Sequence, residues 1–114
     1  MKMGDKLYVV THRELEPGYQ AVQSQHALFQ FSIEHAEAAR RWYAFSNYLG
    51  FLSVENETAL LELLDAAITN GIRVSAFHEP DIGGNVTAIA LEASDASSRL
   101  VSQIPLALKG AKEK

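Results

Sequence analysis

Lys6-Leu7-Tyr8-Val9-Val10-Thr11 leads through His12-Arg13-Glu14-Leu15-Glu16-Pro17-Gly18 into Tyr19-Gln20-Ala21-Val22-Gln23-Ser24-Gln25-His26-Ala27. The first run is rich in β-branched and aromatic residues, the pattern of a buried strand. The second is a charged loop closed by the Pro-Gly breaker pair. A helix is predicted to follow over 19–33. At 100° per residue Ala21, Val22, Leu28, Phe29 and Ile33 share one broad face of it, while Tyr19, Gln23, His26 and Gln30 form a polar stripe along another. A strand that feeds a helix through a tight loop belongs to an α/β architecture.

The remaining segments extend this pattern. Residues 37–45 continue helical, with Ala38, Ala39, Trp42 and Tyr43 as apolar surface, and 48–54 form a second strand. Asn56 is placed to cap a helix over 57–70. Leu60, Leu61, Leu64, Ala67 and Ile68 give that helix an apolar stripe, and Gly71 stands where a glycine closes a helix. A third strand is predicted over 72–77, a breaker-rich loop over 78–85 and a fourth strand over 86–91. Ser94 or Asp95 then caps a last helix that runs to about residue 104, before Pro105. The order β-α-α-β-α-β-β-α implies a small four-stranded mixed sheet flanked by helices, three layers deep, with a hairpin between the last two strands. One domain is expected over 1–108, with a flexible tail over 109–114.

Composition narrows the function. The chain has 114 residues, 47% hydrophobic and 21% charged, which excludes wholesale disorder. It has no cysteine, so thiol nucleophiles, disulfide scaffolds and Cys-based metal sites are out. No apolar run reaches the ~20 residues that cross a bilayer, and the apolar stretch over 7–10 is too short for a signal peptide. A soluble, cytoplasmic protein without membrane partners is the expectation. The net charge of −4 means that a nucleic-acid partner needs a local basic patch. Arg13, Arg40, Arg41 and Lys6 are the candidate phosphate contacts.

His12, His26, His35 and His78 form no recognisable metal spacing, and no Walker loop, dinucleotide fingerprint or Gly-x-Ser-x-Gly elbow occurs. Neither a metal nor another cofactor is expected. Two polar groupings remain. One is the stripe Tyr19, Gln23 and His26 at the start of the first helix, where free N–H groups favour an anion and an imidazole can move protons. The other is His78-Glu79-Pro80-Asp81, able to orient a base or a water. A Gln/His stripe is more often only the wet face of a helix, and an acidic turn only a solvated one.

The run from Gly18 to Ala27 resembles the signature helix of the type II (archaeal and eukaryotic type) peptidyl-tRNA hydrolases, which read Gly-Lys-x-Ala-x-Gln-x-x-His-Ala after the first strand. The order of the later elements matches over nearly the whole chain, through Asn85-Val86-Thr87-Ala88-Ile89-Ala90-Leu91. The chain resembles a divergent member of that family. The resemblance implies metal-independent hydrolysis of the ester joining a peptide to tRNA, by a fold often found as a dimer. It implies catalytic roles for His26, Gln23, Thr87 and an acid after the third strand, Glu79 or Asp81, with Asp81 favoured. Gly18, Tyr19, Arg13 and Glu79 are the expected substrate contacts. Tyr19 replaces the family lysine, exchanging a point charge for a neutral hydroxyl. A weak or inactive module that binds tRNA or protein is the alternative expectation. An exposed edge on a small sheet makes a homodimer a reasonable further one.

Overall fold

The computed structural model describes residues 4–109. Four strands, β1 (Lys6–His12), β2 (Tyr48–Val54), β3 (Val74–Glu79) and β4 (Asn85–Leu91), form one sheet in the order β2-β1-β4-β3. β1 and β2 run parallel, and β4 pairs antiparallel with both β1 and β3, so the sheet is mixed. Helices α1 (Pro17–Glu34) and α2 (Ala36–Phe45) lie between β1 and β2 in the chain. Helix α3 (Glu57–Thr69) joins β2 to β3, and the short α4 (Asp95–Leu100) follows β4. The element order is the one the sequence predicts.

Strand alternation gives the sheet two apolar faces. Leu7 and Val9 of β1 point with Ala88 and Ala90 of β4 toward Ala27 and Phe31 of α1. Val10, Leu52, Ile89 and Leu91 point the other way, onto Leu60, Leu63 and Ala67 of α3. The sheet is therefore sandwiched between helical layers. No helix among the described residues is long and apolar enough to cross a membrane.

Helix ends follow local chemistry. Asn56 Oδ1 accepts from the Ala59 N–H at 2.9 Å, and Ser94 Oγ caps α4 by accepting from the Ser97 N–H at 3.1 Å. At the other end of α3, Gly71 takes φ +72°. The Gly71 N–H then reaches Ile68 O and the Ile72 N–H reaches Ala67 O, both at 3.0 Å, the paired bonds of a Schellman closure.

That closure consumes Gly71 and Ile72, so β3 begins at Val74, two residues after its predicted start. It also runs two residues further, because the ladder with β4 continues through His78–Val86 and Glu79–Asn85. The last helix stops at Leu100, and residues beyond it turn back instead. Ser53 N–H donates to Pro105 O at 3.1 Å and Ala107 N–H to Phe51 O at 2.9 Å, covering part of the β2 edge. At the opposite edge, Gln30 Nε2 donates to Ala76 O and His35 Nε2 lies 3.2 Å from Val74 O. Occupied edges resist pairing with another sheet. The tail expected from Lys109 falls, from Gly110 onward, outside the described residues.

Two helical faces depart from the sequence expectation. Helix α1 buries Gln20, Gln23, Ser24, Ala27 and Phe31, whereas Val22, Phe29 and Ile33 stand exposed. The apolar arc thus faces away from the sheet and part of the polar stripe faces in. Small Ala27 and Ser24 let the helix approach β4, whose facing residues Ala88 and Ala90 are also small. On α3 the buried line is Leu60, Leu63 and Ala67, with Leu61 and Ile68 exposed.

Candidate active site

The inward polar stripe of α1 meets the ends of β3 and β4. Gln23, only 1% exposed, donates from Nε2 to Glu79 Oε1 at 2.8 Å. Its Oε1 accepts from Thr87 Oγ1 at 2.6 Å. Both ends of one amide are thus spent on joining two strands. Gln23 is not part of a wet face.

Thr87 reaches this position through a β-bulge. The pairing of Phe77 with Ala88 passes directly to His78 with Val86, which leaves Thr87 as the extra residue of β4. Strict alternation would turn Thr87 toward α3, because Ala88 faces α1. The bulge breaks that alternation, so Val86 packs in the α3 layer while Thr87 bonds to Gln23 of α1. The carbonyl of Thr87 is satisfied as well, accepting from Thr11 Oγ1 at 2.8 Å. Thr11, Thr87, Gln23 and Glu79 form one continuous hydrogen-bonded chain across three strands and a helix.

Glu79 is buried at the end of β3. Besides the Gln23 bond, its Oε2 accepts from the Asp81 N–H at 3.1 Å, in the single 3₁₀ turn Pro80–Ile82. These donors hold its carboxyl below the usual glutamate range: the Asp81 N–H first and the Gln23 amide second, with smaller help from His26 and the Tyr19 hydroxyl. Burial works against them and loses. Tyr19, half-buried at the rim, has its phenol pushed up by burial and then by the negative charges of Glu79 and Asp81.

The sign of the Glu79 shift makes a pH prediction. A carboxyl whose pKa is lower folded than unfolded stabilises the fold above the ordinary carboxylate range. That contribution is lost as pH falls through the folded value. Urea unfolding over a pH series is expected to show wild-type stability declining below roughly pH 4. Glu79→Gln should flatten that decline, and parallel curves for the two proteins would contradict this account of Glu79.

His26 sits one helical turn after Gln23, exposed, beside this buried chain. Its imidazole lies flat on Phe77 of β3, with ring centroids 4.6 Å apart and planes inclined by 13°. Among the described residues no hydrogen bond links that imidazole to Glu79 or Asp81; the attraction between His26 and Glu79 acts through space. The two nevertheless open on the same side of the sheet.

The predicted site residues therefore divide. His26, Gln23, Thr87, Glu79 and Tyr19 converge. Asp81 supplies its backbone N–H, and the residue itself stands exposed in the turn. Arg13 lies toward the other edge, where its Nη1 donates to Ser53 O at 2.8 Å and to Ser53 Oγ at 3.1 Å. Gly18 is in the first turn of α1 with open space where a Cβ would stand, so packing does not demand a glycine there. Arg41 pairs with Glu37 on α2, 3.6 Å away. His12 is buried at the end of β1, and burial lowers its pKa against the pull of Glu14 and Glu57. His78 Nδ1 lies 3.0 Å from Gly84 O in the hairpin. No group of three or more His, Cys, Asp and Glu side chains among the described residues is arranged to hold a metal ion.

Thr11 and Phe77 are the members that sequence reading does not single out. Each sits inside a predicted strand, and only the face it takes reveals a role. No protein-family model matches the chain, and no curated protein matches it.

Proposed function

We propose that this chain hydrolyses the ester between a peptide, or a blocked amino acid, and the 3′ end of tRNA. One observation carries the proposal: an exposed imidazole is stacked on Phe77 of β3, two residues before a buried, hydrogen-bonded carboxylate that faces the same helix α1. In this reaction His26 takes a proton from water as the water oxygen bonds to the ester carbonyl carbon. The ester C–O bond then breaks. The proton passes from the imidazolium to the departing 3′ oxygen, freeing tRNA and a peptide carboxylic acid, which loses its remaining proton to solvent. Glu79, kept ionised by the Asp81 N–H and the Gln23 amide, sets a negative charge on the side of the sheet from which His26 works. Gln23 and Thr87 hold that carboxylate in place. They are positioning residues rather than contacts of the reacting atoms.

Binding without turnover is the second reading. It draws on the Glu79 carboxylate, whose oxygens are already engaged by Gln23 and Asp81 and which makes no hydrogen bond to His26. One assay separates the two. N-acetyl-aminoacyl-tRNA incubated with the wild-type chain should release the blocked amino acid. Salt-sensitive retention of tRNA with no release would replace hydrolysis by binding, and neither release nor retention would end both.

A further inference from the structure

We infer that Phe77 is the positioning residue of His26, giving the imidazole its orientation in place of a hydrogen-bonded acid. The inference rests on the hydrolase reading above. An exposed histidine on a helix has several staggered side-chain wells open to it, and a general base is effective only when its nitrogen is held in line with the proton it removes. His26 has no hydrogen bond to the nearby carboxylates that would select one well, but it has a nearly parallel aromatic ring 4.6 Å away.

Phe77 is built to serve as that platform. On β3 the residues Ser75, Phe77 and Glu79 alternate onto the α1 side, so the same strand face that presents the buried carboxylate presents the ring. Phe77 packs against the core layer of Leu7, Val9, Ala27 and Phe31, which restrains it from below. It is also the last residue before the bulge that turns Thr87 toward Gln23. Ring and carboxylate are therefore held by one stretch of backbone.

A stacked partner also leaves something that a hydrogen-bonded one removes. A carboxylate bound to Nδ1 or Nε2 occupies one of the two ring nitrogens. A ring against the face fixes the plane while both in-plane nitrogens stay open to water or substrate.

Phe77→Leu and Phe77→Tyr test this in the full chain. The first keeps apolar volume on the core but loses the ring, and the second keeps the ring. With N-acetyl-aminoacyl-tRNA as probe, Phe77→Leu should lose about ten- to a hundredfold in kcat, with KM within about twofold of wild type. Phe77→Tyr should restore kcat. Phe77→Met serves as a second ringless variant should leucine compromise folding, monitored by circular dichroism. A second readout needs no turnover. The His26 ring-proton resonances, assigned by their absence in His26→Ala, lie over the Phe77 face and should move downfield in Phe77→Leu. Unmoved resonances overturn the stack, and wild-type kcat in both ringless variants overturns its positioning role. A wild-type chain that never cleaves the ester overturns the catalytic role through the hydrolase reading itself, which moving resonances would distinguish from failure of the stack.

Discussion

Gln23→Leu is expected to unfold at clearly lower urea concentration than the wild type. Leucine has nearly the volume of glutamine but can neither donate to Glu79 nor accept from Thr87, whose side chain is fully buried. Stranding the Thr87 hydroxyl costs about 1–3 kcal/mol by itself, because a buried donor without an acceptor has given up its hydration for nothing. Loss of the Glu79 bond adds to this and returns the carboxyl toward its ordinary range. The double variant Gln23→Leu, Thr87→Val supplies the control. Removing both partners of a buried hydrogen bond costs less than removing one, so the double variant should be less destabilised than the sum of the singles. Strict additivity would show that the two side chains do not depend on each other.

His26→Ala should show the opposite pattern. Its side chain is exposed and stacks on one ring, so the variant should fold with stability within about 0.5 kcal/mol of wild type. Ester release from N-acetyl-aminoacyl-tRNA, however, should fall by about 10²–10⁴-fold, the usual loss when a general base is removed. Full turnover in His26→Ala would leave the imidazole no part in the chemistry. Together the two variants separate a residue that builds the site from one that acts in it.

The candidate site was partly legible in the primary structure. Gln23 and His26 stand three apart, so any helix over them places both on neighbouring faces of one turn. Glu79 and Asp81 are both candidates for the acid in the sequence, with Asp81 favoured, because a loop has no fixed side-chain direction. Extension of the β3–β4 ladder to Glu79 turns its side chain inward onto Gln23 and leaves Asp81 exposed in the turn, since a strand residue must point to one face or the other. Thr87 was identified through the family resemblance alone. Its orientation depends on a one-residue bulge, and a bulge is a property of the register between two strands.

Element order, the cap at Asn56 and the glycine closure at Gly71 were set by amino-acid order alone, because each depends on atoms within a few residues along the chain. Tertiary packing decided which side of α1 meets the sheet. Helical periodicity offers the arc of Val22, Phe29 and Ile33 as the apolar face. The close approach of Ala27 and Ser24 to the alanines of β4, together with the bonds Gln23 makes to Glu79 and Thr87, turns the other side inward. Those bonds span 56 and 64 residues of chain, a separation at which local pattern carries no information.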